Sequence, residues 1–304
     1  MSLKTRTRKL ALIEGVVAGT LFGTAAVFIR FLQNLDVFSI AFWRLVIACC
    51  ILAAILLSSR KFSGLKDYGL KNLKEFFALG LLLGLHFIFF ISAVKHTTIL
   101  NATVLVNTAP IFSVFISSFL FNLKPSRLVA VGIAVSVVGA FIIAYAEYAT
   151  SLDETLVGFS STAKGDLEAV LAAFVEAIYL NYGRKIREQK AILPIMLPIY
   201  LFASIVVGLL GSTVASKTLM FPAEVGVILP LLGLGILPTT VAHTLYFSSL
   251  SNLKSFETAT MALLEPIGAT ALGVVLFGEL PAPLFVLGTA LVLLGIIFVA
   301  KGDL

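Results

Sequence analysis

A glutamate followed by a proline, Glu265–Pro266, stands near the middle of an apolar run over residues 255–278. A carboxylate in such a run can take up a proton or pair with an ammonium group. The proline ring lacks a donor, so the carbonyl of Ala262 is expected to lose its helical partner. Together they make a polar spot in a dry wall, readable as a substrate-amine site, a proton acceptor or a structural carboxylate bonded to a neighbouring helix. Glu176 repeats the theme near the centre of an apolar run over 165–184, with Tyr179 three residues on and therefore on the same helix face. An ionisable group inside a membrane span costs roughly 2.5–3.5 kcal/mol, so each should face protein or water.

Further polar residues stand in apolar runs. His86 falls mid-run, and His243 has Thr239 and Thr240 one turn before it and Thr244 beside it. Each is either a pathway residue or a packing residue with its hydrogen bonds met. Arg44 begins eight residues into its run, roughly 12 Å along a helix at 1.5 Å per residue. It can snorkel, pair with a carboxylate or attract a substrate carboxylate. Asn107 stands one turn before Pro110, and Thr103 one turn before Asn107, on one face. Pro110 and Pro266 are the hinge or kink candidates.

Some chemistries are excluded. The three histidines, His86, His96 and His243, have no metal-ligand spacing and no close acidic partners in sequence, and the pair Cys49–Cys50 suits neither a disulfide nor a metal site. No phosphate-binding glycine loop is present. No metal, no cofactor and no catalytic constellation is expected.

The elements that carry these residues are set by composition. Hydrophobic residues make up 59% of the chain and charged residues only 12%, with a mean hydropathy of +1.06. A soluble domain carries about a quarter charged residues, and this chain has too little polar material to cover a water-facing surface. The basic opening before the first apolar run resembles a secretory signal, but only further membrane-length runs follow it. Ten runs approach the ~20 residues needed to cross the hydrocarbon core, at 10–32, 36–58, 75–94, 98–121, 126–146, 165–184, 193–215, 224–249, 255–278 and 283–300. Backbone groups in lipid must bond within the segment, and the runs lack period-two alternation, so all ten are expected to be helices.

Seventeen of the 22 lysines and arginines fall at the termini and in every second loop, including Arg184 and Arg187; the opposite loops hold only Lys95, Lys164 and Lys217. Both termini are therefore expected in the cytoplasm, at the cell (inner) membrane. The net charge of +6 serves this topology rather than nucleic-acid binding.

Shifted by 156 residues, the chain lies on itself. Pro110 falls on Pro266, Pro125 on Pro281, Gly132 on Gly288, Gly139 on Gly295, Ser92 on Ser248 and Phe121 on Phe277. The first and sixth runs align best at 154, pairing Glu14 with Glu168 and Arg30 with Arg184. Five runs per half is odd, so the second copy must cross the membrane in the opposite sense, as an inverted repeat. The expected division is a first five-helix repeat over 1–146, an external linker over 147–164 and a second repeat over 165–304. Small-residue stripes at Gly15, Gly19 and Gly23 and at Gly80 and Gly84 should let helices approach closely. The spacing Gly132/Gly139 and Gly288/Gly295 marks the fifth and tenth helices as matched supports. At offset 156, Asn107 and Thr103 meet Leu263 and Ala259, so the two halves of a shared site are chemically unequal.

The stretch ALLEPIGATALGVVLFGELP, from Ala262 to Pro281, resembles the ninth helix of the ten-helix branch of the drug/metabolite transporter superfamily, built of two EamA domains. The first copy, VNTAPIFSVFISSFLFNLKP, keeps the proline but has Ala109 in place of Glu265 and Leu123 in place of Glu279. FSIAFWRLVIACCIL is similar to the family's second helix with its arginine, here Arg44. The resemblance implies an all-α integral membrane protein of ten transmembrane helices in two inverted repeats. It also implies a transporter of small metabolites, often an exporter of amino acids. The expected function is secondary transport by alternating access, with protons as a candidate coupling ion; a receptor or scaffold and an intramembrane enzyme are the alternatives. The expected partners are a small-molecule substrate and the bilayer.

Overall fold

The computed structural model describes residues 6–59, 72–97, 99–151, 162–187, 190–214, 219, 222, 224–277 and 283–302. Ten helical rods follow in chain order: α1 (Arg8–Phe31), α2 (Val37–Ser58), α3 (Leu73–His96), α4 in two pieces (Ile99–Val106 and Ala109–Leu120), α5 (Arg127–Ser151), α6 (Ala163–Arg187), α7 (Ile192–Val214), α8 (Val225–Ser249 through a widened centre), α9 in pieces from Ser255 to Phe277, and α10 (Pro283–Lys301). No strand occurs among the described residues. Starts are set by side chains where the sequence supplies them: Asp36 accepts from the Phe38 and Ser39 amides at 3.0 Å each, which fixes the first turn of α2.

Eight helical runs among the described residues are long and apolar enough to cross a bilayer. The two rods outside that set, α6 and α9, are those that carry Glu176 and Glu265. The chain is a multi-pass, all-α membrane protein.

The packing follows the duplication. α1 packs on α8 and α9, and its counterpart α6 packs on α3 and α4. α2 lies on α7 and α8, α7 on α2 and α3, and α5 and α10 lie on each other. Every such pairing survives exchange of the halves, which is what a pseudo-two-fold axis in the membrane plane requires. At the α5–α10 contact a Cβ on Gly139 would sit 2.7 Å from the Gly288 carbonyl oxygen, and one on Gly288 would sit 2.7 Å from that of Gly139. Only glycine allows backbones this close. The stripe on α1 serves α9: side chains at Gly19 or Gly23 would run into the backbones of Met261 and Gly268.

Three irregularities interrupt the rods. α4 breaks at Asn107–Thr108, and Ala109–Pro110 begin its second piece. α9 breaks at the matching place, where a 3₁₀ turn over Ala262–Leu264 leads into a helix starting at Glu265–Pro266. The expected orphan at Ala262 does not occur, because the tightened turn brings the Glu265 amide onto the Ala262 carbonyl. In α8 the turns over Gly235–His243 widen to a π-helix around Pro238. Pro238 has no N–H for Leu234, and the hydroxyl of Thr239 donates to that carbonyl at 2.6 Å instead. The Thr240 hydroxyl does the same for Gly235 at 2.7 Å.

Several boundaries depart from the sequence expectation. α5 continues to Ser151 and α6 begins at Ala163, so helix enters both ends of the expected linker; 152–161, Glu279 and Pro281 lie outside the described residues. α6 runs three residues past its expected end. Arg187, counted with the loop cations, is 1% exposed because its guanidinium bonds the Lys190 carbonyl at 2.5 Å and the Ser248 hydroxyl at 3.2 Å.

Candidate functional site

The two helix breaks face each other across the middle of the protein. The Asn107 amide, at the break in α4, donates to the Thr103 carbonyl at 2.7 Å and to Glu265 Oε2 at 3.3 Å. Glu265 is the first residue of the second piece of α9. Beside this contact lies a cavity of about 410 Å³, counted to its mouth. Its wall comes from seven helices: Phe22 and Ala25 (α1), Arg44 (α2), His86, Phe87 and Phe90 (α3), Val106 and Asn107 (α4), Glu176 (α6), His243 (α8), Ala262 and Glu265 (α9). α5 and α10 contribute nothing to the lining and act as the outer buttress.

Charge is divided around this wall. Glu265 and Glu176 are 5% and 7% exposed. Glu176 accepts from the Tyr246 hydroxyl at 2.8 Å and lies 3.8 Å from His86 Nδ1, which also sits 3.1 Å from the Ala172 carbonyl. Arg44 is only 1% exposed, so it neither snorkels nor reaches the interface. Its Nε donates to the Thr239 hydroxyl at 2.7 Å, and its guanidinium lies 3.9 Å from the centre of the Phe87 ring. Such a stack holds a cation without neutralising it. Among the described residues no carboxylate comes within 4.0 Å of Arg44, and its Nη1 has no hydrogen-bond partner. His243 Nδ1 is likewise buried without a partner.

Aromatic rings frame the histidines. Phe22 and Phe87 lie 4.7 and 4.8 Å from the His243 ring, and Phe90 stacks on His86 at 6.2 Å. The two histidine rings are 6.0 Å apart. Among the described residues no group of three His, Cys, Asp or Glu side chains has the geometry to hold a metal.

Six of the residues singled out from sequence thus meet at one cavity: Glu265, Glu176, Asn107, His243, His86 and Arg44. Tyr179 does not join them. Although it shares a face with Glu176, its ring packs against Phe247 at 5.2 Å, its hydroxyl has no partner, and it is absent from the lining. Pro110 and Pro266 lie at the two breaks without lining the cavity. Sequence reasoning missed Tyr246 and the aromatic wall. Tyr246 was legible as the residue three after His243, on its face; Phe22, Phe87 and Phe90 carried no signal among 25 phenylalanines.

A helical membrane protein of two matched halves, with broken helices meeting over a charged interior cavity, has the architecture of a membrane transporter. The EamA-like transporter family matches the chain twice, over residues 9–145 and 163–301, and the chain belongs to that family. It is similar to the uncharacterized transporter YxxF of Bacillus subtilis (strain 168), 23% identical over 298 residues that span 97% of this chain and 90% of that protein. It is also similar to the uncharacterized transporter YdfC of the same organism, 28% identical over 238 residues, covering 75% and 72% of the two chains. A crystal structure of a protein 18% identical in sequence superposes over 96% of both chains with a TM-score of 0.77, which supports the fold alone.

Proposed function

We propose that the protein is a secondary transporter that moves a small zwitterionic metabolite, an amino acid or a related compound, by alternating access, in export or exchange. The observation that carries this reading is the unpartnered Nη1 of the Arg44 guanidinium in the same cavity as Glu265 and Glu176. A buried donor with nothing to bond is costly and calls for a ligand. A carboxylate is the group a guanidinium fits best, in a bidentate fork. The glutamate side of the cavity then takes the substrate ammonium, and Phe22, Phe87 and Phe90 take its apolar part. Glu265 and Glu176 are also the proposed carriers if protons are the coupling ion. Pro110 and Pro266 mark the places where the halves would flex.

The proposed setting is the cell (inner) membrane with both termini in the cytoplasm, from the distribution of basic residues. Reporter fusions at Met1 and Leu304 should then signal from the same compartment. The function is tested by thermal-shift and proteoliposome uptake screens across amino acids, amines and nucleosides. Hits confined to zwitterions support the reading; hits confined to amines or nucleosides contradict it.

A further inference from the structure

Outside the cavity, two polar clusters at opposite ends of the molecule are built around a repeat-mated glutamate and serine. At the end holding the N-terminus, the Glu14 carboxylate pairs with Arg6 and accepts from the Ser248 hydroxyl at 3.2 Å. Arg6 also donates to Ser248 at 2.9 Å and to Ser251 at 3.0 Å, and Arg187 reaches the same Ser248 at 3.2 Å. This cluster joins α1, α6 and α8. At the other end, Glu168 lies 3.0 Å from His96 Nδ1, which lies 3.1 Å from the Ser92 hydroxyl. Lys95 donates to the Gln33 carbonyl at 2.9 Å, so that cluster joins α6 and α3 to the turn that follows α1.

The glutamates and the serines correspond, while the cations that meet them, Arg6 and His96, are not repeat mates. Glu14 is the repeat mate of Glu168, and Ser248 of Ser92. Each glutamate stands eight residues, about 12 Å of helix, before a cavity-lining residue of its own rod, Phe22 in α1 and Glu176 in α6. Phe22 and Glu176 are themselves mates at the offset of 154 that aligns these helices. Both clusters tie together rods that line the cavity, and neither touches the α5–α10 buttress.

We propose that Glu14 and Glu168 close two equivalent latches, one at each membrane face, and that transport breaks them in alternation. The inference rests on the alternating-access reading above. The contacts have the strength the task needs. Both contacts keep some exposure, 9% and 12% for the Arg6 and Glu14 side chains and 39% and 15% for His96 and Glu168, so losing one biases an equilibrium without removing a core contact. The backbone contact of α5 with α10 has no such give. The latches also differ in chemistry: the Glu14 carboxylate is held by the Arg6 guanidinium and the Ser248 hydroxyl, whereas Glu168 meets the His96 imidazole and, at 3.9 Å, the Lys164 ammonium of its own helix.

The test uses the full chain with Cys49 and Cys50 replaced by alanine and a single reporter, Ala25→Cys, in the cavity wall. The protein is oriented in liposomes and labelled from each side with a membrane-impermeant thiol reagent. Glu14→Gln should raise the ratio of labelling from the N-terminal face by roughly two- to five-fold, the range for loss of one partly exposed pair. Glu168→Gln should move the ratio by a similar factor the other way. His96→Arg, which places a guanidinium beside Glu168, should move it opposite to Glu168→Gln, a reversal that misfolding does not produce. Shifts of one sign in both glutamine variants, no shift, or no reversal with His96→Arg would overturn the latches. Because no substrate enters the assay, its outcome is independent of the uptake screen. Opposed shifts in a protein that takes up none of the tested compounds would count against the substrate assignment alone.

Discussion

α4 and α9 are the same device with different chemistry. Both break at a matched position before a proline, and both place that break at the cavity. Yet α9 sets a carboxylate at the start of its second piece, while α4 has Ala109 in that place and supplies the amide of Asn107 two residues earlier. Duplication gave the protein two equivalent openings in the backbone ladder, and divergence assigned the charge to only one. A symmetric frame that can rock needs equal halves. A site that must tell one end of a small molecule from the other needs unequal ones.

The largest expected effect comes from removing that inequality. Glu265→Gln leaves an amide on each side of the break and should abolish flux driven by a pH gradient while leaving exchange at saturating substrate intact, as read by uptake into liposomes with and without the gradient. Unaltered gradient dependence would remove Glu265 from proton coupling. Next is Arg44→Ala. Loss of a charge-assisted hydrogen bond of about 1.5–3 kcal/mol should weaken substrate affinity roughly 10- to 150-fold in a binding assay. Arg44→Lys should recover only part of this, because an ammonium cannot form the fork. Gly139→Leu tests the buttress: forcing a side chain against the Gly288 carbonyl should destabilise the fold by about 1–3 kcal/mol, seen as a lower midpoint of thermal unfolding in detergent. The smallest effect belongs to Tyr179→Phe. Its hydroxyl has no hydrogen-bond partner and Tyr179 does not line the cavity, so uptake should stay within about two-fold of the parent.

Much of this arrangement was legible in the chain itself. Apolar length and basic-residue placement gave the ten rods, because lipid forbids most alternatives. The offset that superposes Pro110 on Pro266 and Gly139 on Gly288 gave the pairing of halves, since prolines and glycines register backbone needs that few other residues meet. Charge inside an apolar run gave Glu265, Glu176 and Arg44 as cavity-lining residues, because such side chains must face protein or water. What stayed hidden depended on direction rather than identity. Tyr179 shares the Glu176 face, but helix packing turned it toward Phe247, and Tyr246 from another rod took the expected place. The π-helix over Gly235–His243 was hidden too. Pro238 announced a break, and only the return of the Thr239 and Thr240 hydroxyls to the backbone decided its form. The reach of α6 to Arg187 follows from Ser248 on a distant rod, which no local reading supplies.

The central claim is that the cavity holds a cationic wall and an anionic wall that together recognise a zwitterion. It is tested most directly by calorimetric binding of one amino acid found in the screen, its carboxamide and its N-acetyl form, to the parent protein and to Arg44→Ala. The account predicts that both modified forms bind the parent at least about tenfold more weakly, and that Arg44→Ala no longer separates the amino acid from its carboxamide. Equal binding of all three compounds to the parent, or undiminished discrimination by Arg44→Ala, would contradict it.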